Sequence, residues 1–434
     1  MDPDGRERRV STGCRDEQAA QKVLGDILTE VEKIRAGLIT SKQIETAEQG
    51  KRPVAEHMAE YVDHLRTKRV RGRKVSTGYR RNIEGRLTRL IGECGFHKVG
   101  DITAEAVAAW LDKAEEADMA ASTRNEYLGS AKAFCGWLKR SGRLTENPLA
   151  GLQKADPTSD RRHVRRALTV DEVGRLLRAA RLRPVAELGR QSEPLPDDDK
   201  CGRSSWTFEA LTAENFDACL QRGLAKLADS PERQVALEQL GRQRALFYLV
   251  AVSTGLRRKE LASLTVGRLH LDAAPTPFLE LQAADAKNAK AANLPLRADV
   301  VAEVKRHLAL RQGPGQAPRQ GSEPSAQDAL PLDAKLFTKP PAIRIFDADL
   351  QAAGIPKYDA RGRVVDIHAL RHTFGTHLSA AGVHPRTAMA AMRHSRIELT
   401  MNLYTDPVLL DVAGAVNALP AFGAAADAFV ASHA

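Results

Sequence analysis

The stretch DIHALRHTFGTHLSAAG, residues 366–382, has the most informative pattern in this chain of 434 residues. His368 and Arg371 lie three positions apart, so a helix would place both side chains on one face. Small and apolar residues fill the neighbouring positions, which predicts a buried helix. A buried guanidinium stays charged and needs an anionic partner, yet the nearest acid, Asp366, precedes the helix. The pattern therefore fits a structural His–Arg pair or a pair that holds a bound phosphate.

Three other segments carry groups that suit phosphate chemistry. An apolar helix breaks at a Thr-Gly pair just before Arg257, which places this side chain at a turn. Lys287 and Lys290 lie at the tip of a predicted hairpin, and His394 starts a helical stretch that ends at Tyr404. Taken singly, each residue is more typical of a surface turn or a core than of a catalytic site. The segments are STGLRRKELASLTV (253–266), DAKNAKAANLPL (285–296) and AAMRHSRIELTMNLYTDP (390–407).

Together these groups match the needs of phosphoryl transfer to a tyrosine. Guanidinium groups hold the non-bridging phosphate oxygens and neutralise the charge that grows in the transition state. A lysine can protonate the leaving alkoxide, and histidines exchange protons near neutral pH. Tyr404 would form a covalent ester with the phosphate. The segments contain no obvious carboxylate cluster for Mg²⁺, so we expect neither a metal nor a cofactor.

In this order, the four segments resemble those of the tyrosine recombinase (phage integrase) family. TGLRRKEL resembles the first-arginine box, and AKNAKAANLPL resembles the β-hairpin that carries a lysine. HALRHTFGTHL is similar to the His-x-x-Arg box, and MRHSRIELTMNLY is similar to the second-histidine box with its nucleophilic tyrosine. The resemblance covers about residues 160–410.

The resemblance implies a role for each singled-out residue. It makes Arg257 and Arg371 a phosphate clamp and Tyr404 the nucleophile. Lys287 would be the general acid, with Lys290 as the alternative. The proton-handling residues would be His368 and His394.

Some positions depart from the family pattern. Arg393 stands where the family often has a glycine, and Ala286 and Ala289 replace commoner turn residues. Residues 183–240 look like an insertion that is longer than the usual link. We expect these departures to alter the local geometry and not the chemistry.

The expected fold is mostly α with a small β-hairpin or sheet (α+β). Four helices in residues 51–155 form a basic module that resembles the SAM-like core-binding domain, and Thr103 is predicted to cap one of them. Thr169 and Glu172 form a capping box at the start of a tyrosine-recombinase catalytic domain. The predicted parts are an N-terminal helical extension (1–50) that weakly resembles the tail of an arm-binding region, the core-binding domain (51–155), a basic linker (156–167) and the catalytic domain (168–434), with the insertion 183–240, a flexible loop (311–331) and a C-terminal oligomerisation helix (about 411–434).

The charge distribution points to a polyanionic partner. The net charge is +10, and residues 51–180 hold 26 basic against 17 acidic residues. Such a segment is typical of a nucleic-acid-binding surface or of an ordinary solvated surface. Five scattered cysteines without a CxxC pair predict reduced thiols and cytoplasmic localisation. The polar start predicts no secretory signal, and no apolar run approaches the ~18 residues of a membrane span.

The resemblance implies a site-specific DNA recombinase that acts in DNA integration or excision through a 3′-phosphotyrosyl intermediate. It would bind double-stranded recombination sites as a homo-tetramer, with accessory DNA-bending or directionality factors as further partners. Two alternatives stay open at this point. One is a type IB topoisomerase-like enzyme that relaxes DNA, and the other is a non-catalytic DNA-binding protein on the same fold.

Overall fold

The computed structural model describes residue 11 and residues 13–403, apart from residues 39, 71, 195–205 and 313–329. The chain divides into two compact units, Met1–Arg162 and His163–Ala434. Both units are built mainly from helices, with short antiparallel strands, so the predicted fold class is confirmed. None of the helices in the described ranges is long and apolar enough to cross a membrane.

The first unit is a helical module with its own apolar core. From Val54 onward it packs around Leu65, Leu87, Leu128 and Phe134, which are almost completely buried. Thr103 caps α5 by accepting a hydrogen bond from the Ala106 amide, as predicted. The elements are α1 (Glu17–Arg35), α2 (Ser41–Lys51), α3 (Val54–Thr67), β1 (Arg69–Val70), β2 (Arg73–Lys74), α4 (Thr77–Cys94), α5 (Ala104–Glu116) and α6 (Ala121–Arg140).

The second unit contains more helices and two small sheets. The elements are α7 (Val170–Ala186), β3 (Ser192–Pro194), β4 (Trp206–Phe208), α8 (Phe216–Leu227), α9 (Pro231–Thr254), α10 (Arg258–Ser263), β5 (Leu269–His270), β6 (Phe278–Leu281), β7 (Ala292–Pro295), α11 (Ala298–Gln312), α12 (Ile343–Ala352), α13 (Ala369–Ala380) and α14 (Pro385–Met392). Strands β5, β6 and β7 form an antiparallel sheet in that order, which confirms the predicted hairpin. Leu279 lies opposite Leu294 in the sheet, and both side chains point into the core.

Helix α9 is the centre of the second unit. Its residues Phe247, Tyr248 and Ala251 are buried in the core. It crosses α7 so closely that a Cβ atom at Gly241 would lie 1.9 Å from the Arg181 carbonyl oxygen. Glycine is therefore required at this crossing. The predicted capping box of Thr169 and Glu172 is present at the start of α7.

The segment expected as an insertion, 183–240, shares both of its ends with core helices. Residues up to Ala186 belong to α7, and residues from Pro231 onward belong to α9. Between them, α8 buries Phe216 and Cys219 in the same core. The first half of α9 is rich in Gln, Glu and Arg, so its sequence does not show the apolar pattern that marks a core helix.

Arginines of the predicted linker, 156–167, are engaged in ion pairs. In the first unit, Arg162 pairs with Asp160. In the second unit, Arg166 forms a bidentate pair with Glu172 at 2.8 and 2.9 Å. The core of the predicted loop 311–331 lies outside the described residues, as does the predicted C-terminal helix.

Candidate active site

Arg371 lies at the centre of the candidate site and is only 1% exposed. It is the third residue of α13, and its guanidinium donates to the carbonyl oxygens of Gly255 and Met392. Gly255 follows α9, and Met392 ends α14. One buried cation therefore joins three helices. The sequence suggested an anionic partner for it, whereas these two partners are neutral carbonyl groups.

Glu260 is a residue of the candidate site that the sequence pattern did not single out. It is buried in α10, and its carboxylate accepts hydrogen bonds from the Arg257 amide at 3.0 Å and from the Lys287 amide at 3.2 Å. It also forms ion pairs with Arg257 at 3.0 Å and with Arg393 at 2.8 Å. The available signal was its position three residues after Arg257, the position of an acid in a capping box.

These contacts keep the Glu260 carboxylate charged. Burial alone would raise its pKa, but the hydrogen bond from the Arg257 amide and the contact with Arg393 outweigh that effect and lower the pKa to about 2. Glu260 is therefore an anion at neutral pH that organises the cations around it.

The hairpin tip distinguishes Lys287 from Lys290. The amide of Lys287 donates to Glu260, which places this residue next to the start of α10. The amide of Lys290 donates instead to the Asn288 side chain within the turn, at 3.3 Å. Ala289 adopts a left-handed conformation with φ of 58° and so serves as a turn residue. The hydrogen bond to Glu260 therefore favours Lys287 over Lys290 as the lysine that lies near Arg257.

The positive charges of nearby arginines lower the pKa values of both candidate histidines. Burial, together with the charges of Arg165 and Arg371, lowers the pKa of His368 to about 4. Burial, together with the charges of Arg371 and Arg257, lowers the pKa of His394 to about 4. Both imidazoles are therefore neutral at pH 7, and an arriving anion would raise their pKa values.

A second ion pair supports the start of α13. Arg165 forms a bidentate contact with Asp366, at 2.9 Å from Nε and 2.8 Å from the second nitrogen. Asp366 in turn accepts a hydrogen bond from the Ala369 amide at 2.9 Å. Burial would raise the pKa of Asp366, but the hydrogen bonds from Arg165 outweigh it and lower the pKa to about 2. This pair orients the segment that carries His368.

Sequence models of two protein domains match the chain. The model described as "Phage integrase family" matches residues 225–408, and the one described as "Phage integrase, N-terminal SAM-like domain" matches residues 58–142. Together they cover more than half of the chain. The chain belongs to the tyrosine recombinase (phage integrase) family. The predicted family is confirmed, and the chain is a tyrosine-type site-specific DNA recombinase.

Several solved structures are similar to this recombinase. A lambda integrase dimer bound to a COC′ core site is 15% identical, with 92% of this chain and 97% of that chain covered and a TM-score of 0.49. A lambda integrase tetramer bound to a Holliday junction is 16% identical, with coverages of 93% and 90% and a TM-score of 0.48. A Tn1549 transposon integrase in complex with transposon right end DNA is 17% identical, with coverages of 82% and 95% and a TM-score of 0.48. No curated protein sequence matches the chain.

In this recombinase, the segment after α14 precedes Tyr404 in the sequence. Tyr404 itself lies outside the described residues. Arg393 follows α14 in a left-handed conformation, and the helical stretch expected from His394 begins only at Ile397. Nδ1 of His394 lies 2.9 Å from the Thr400 hydroxyl, within a π-helical turn at Leu399–Leu403. Such turns are frequent at functional sites. Among the residues that the structure describes, no group of three or more His, Cys, Asp or Glu side chains could hold a metal ion.

Proposed function

We propose that Tyr404 is the nucleophile of this recombinase and that five further side chains serve it: Arg257, Lys287, His368, Arg371 and His394. The observation that carries this proposal is a convergence of separate segments. Glu260 joins α10, the hairpin tip and the end of α14, and Arg371 joins the ends of α9 and α14. The Arg257 side chain is 24% exposed, which leaves part of it open to a substrate phosphate.

The first half of the reaction forms a covalent protein–DNA bond. Tyr404 Oη attacks the phosphorus, and its proton passes to His368, which is neutral at pH 7 and becomes a stronger base when the phosphate anion raises its pKa. The P–O5′ bond breaks, and the Lys287 ammonium protonates the leaving 5′ oxygen. Arg257 and Arg371 neutralise the charge that develops on the phosphate oxygens. The products are a 3′-phosphotyrosine and a free 5′-hydroxyl.

The second half rejoins the strands. A 5′-hydroxyl from the partner duplex gives its proton to the neutral Lys287 amine and attacks the phosphorus of the phosphotyrosine. A new P–O5′ bond forms as the P–Oη bond to Tyr404 breaks, and the His368 imidazolium returns the proton to Oη. The energy of the phosphodiester is retained in the phosphotyrosine, so the exchange does not consume ATP. A crossover between two duplexes cuts four strands and uses one tyrosine for each. We therefore propose a tetramer on two synapsed double-stranded DNA sites.

We also propose where this recombinase acts and on what kind of DNA. Integration or excision of a mobile DNA element fits an enzyme of this family, and the reduced thiols fit a cytoplasmic protein. The accessory factors stay predictions, as do the domain boundaries 51–155, 156–167 and 168–434.

A covalent-trapping experiment tests the nucleophile. The full-length chain is incubated with fragmented DNA of the source organism and denatured with SDS, and the protein-linked DNA is sequenced. We expect adducts from the wild type and from Tyr358→Phe, a control at an exposed tyrosine of the same unit. We expect none from Tyr404→Phe. Adducts that persist in Tyr404→Phe would contradict the proposal.

A further inference from the structure

Arg393 occupies an unfavourable position that none of the proposed roles explains. Its φ of 54° lies in the left-handed region, where glycine is at ease and a residue with a Cβ atom is strained. Its side chain is only 9% exposed and reaches Glu260, 133 positions away in the sequence, with Nη2 at 2.8 Å from Oε2. The arginine therefore ties the end of α14 to α10.

Part of the Arg393 guanidinium finds no hydrogen-bond partner among the residues that the structure describes. Within that part of the chain, both Nε and Nη1 are buried without one. Buried donors that lack partners are unfavourable for folding, as is the strained backbone. Two separate costs at one residue indicate that this arginine is present for its charge and not for stability.

The Glu260 carboxylate is shared between two cations. Oε1 accepts from the Arg257 guanidinium and from the Lys287 amide. Oε2 accepts from the Arg257 amide and from Arg393. A fully charged carboxylate beside Arg257 competes with a phosphate for that guanidinium. A second cation on the same carboxylate weakens this competition.

We propose that Arg393 is a positioning residue that neutralises Glu260 and so leaves the Arg257 guanidinium available to the substrate phosphate. This inference rests on the proposed function, because it assumes that Arg257 binds phosphate. It adds a residue at a position where the family often has glycine. In support, the charge of Arg393 contributes to the lowered pKa of His394, which places this charge close to the site.

Three variants of Arg393 separate the effect of its charge from the effect of its side-chain shape. The full-length chain is prepared as wild type, Arg393→Lys, Arg393→Met and Arg393→Gly. Lysine keeps the charge, methionine keeps the length without the charge, and glycine also removes the backbone strain. Binding of inorganic phosphate is titrated at constant ionic strength by NMR of labelled histidines, with the His394 signal assigned from a His394→Gln variant. Urea unfolding verifies that each variant is folded.

We expect the affinity for phosphate to fall about tenfold in the Met and Gly variants and to stay within about twofold of wild type in the Lys variant. The pKa of His394 should rise in the Met and Gly variants, because a nearby cation is lost, and should be unchanged in the Lys variant. A structural role alone would not separate lysine from methionine. Equal affinities in all four proteins, or equal losses in the Lys and Met variants, would overturn the proposal.

A double-mutant cycle tests the action through Glu260. In the Glu260→Gln background, Arg393→Met should change the affinity for phosphate by less than about twofold, because no carboxylate charge remains to neutralise. An unchanged tenfold loss in that background would overturn the proposal. The phosphate titration does not depend on strand cleavage. If the wild type binds phosphate as expected but forms no DNA adduct, the proposal for Tyr404 fails and this inference does not.

Discussion

Two buried carboxylates in the second unit, Asp349 and Glu260, each lie between two arginines, but their surroundings differ. Asp349 on α12 accepts from Arg183 at 2.6 Å, from Arg244 at 3.2 Å and from the Tyr248 hydroxyl at 2.7 Å. These partners lie on α7 and α9 deep in the core. The remaining nitrogens of Arg183 donate to Glu187 and to the Ile345 carbonyl. The charged groups of this network bind one another and the surrounding core, and the network joins three core helices. We call it closed.

The Glu260 network is open by comparison. Its partner Arg257 is 24% exposed, whereas the side chain of Arg183 is 4% exposed. Two buried donors of Arg393 have no partner in the described ranges, and Arg371 adds a further cation through carbonyl contacts. Around Asp349 two arginines are balanced by two carboxylates, those of Asp349 and Glu187. Around Glu260 two arginines share one carboxylate, and the excess of positive charge suits an anion-binding site.

Removal of the Asp349 charge should have the largest effect on folding. Asp349→Asn leaves two buried arginines without their shared anion, so we expect the free energy of unfolding to fall by about 3–5 kcal/mol in urea titrations. The exposed pair of Asp272 and Lys305 provides the control, and Asp272→Asn should cost at most about 1 kcal/mol. Equal losses in the two variants would show that the Asp349 network is not a structural anchor.

Replacement of Arg371 should affect catalysis and not folding alone. Arg371→Lys removes the planar fork, so we expect the rate of covalent adduct formation to fall about 10²- to 10³-fold. Arg244→Lys, in the closed network, should leave the rate per folded molecule within about twofold. The rates are measured under single-turnover conditions on a site recovered by trapping. If Arg244→Lys slows cleavage as much as Arg371→Lys does, the two networks do not have separate functions.

The open network should make the protein sensitive to acid. His368 and His394 have folded-state pKa values of about 4, below the ordinary value of 6.5. The unfolded chain therefore binds protons first, and stability is lost as the pH falls from 6.5 to 4. We expect a loss of roughly 1–2 kcal/mol for each histidine, measured by urea titrations across this range. Inorganic phosphate should reduce the loss, because an anion raises both pKa values. A loss that is insensitive to phosphate would argue against an anion site.

The smallest effect is expected at Arg165. Arg165→Gln breaks the pair with Asp366, and we expect a loss of about 1 kcal/mol in the free energy of unfolding. The pKa of His368 should rise, because the charge of Arg165 lowers it in the wild type. Histidine NMR measures this shift. His163→Gln, at a more exposed partner of Asp366, should have a smaller effect on stability. An unchanged pKa of His368 in Arg165→Gln would remove Arg165 from the site.

The sequence predicted those features that depend on neighbouring residues. The caps at Thr103 and Thr169 and the β6–β7 hairpin follow from local patterns. The pairing of Glu260 with Arg393 spans 133 positions, and that of Arg165 with Asp366 spans 201. The pattern of apolar and polar residues along the chain does not predict such contacts, because only the tertiary fold brings these residues together.

The central claim is that Tyr404 becomes the covalent link to DNA. The most direct test is to digest purified wild-type adducts with nuclease and protease and to map the nucleotide-bearing residue by mass spectrometry. We expect a nucleotide phosphate on Tyr404, within the segment that follows Leu399–Leu403. A nucleotide on any other residue would contradict it.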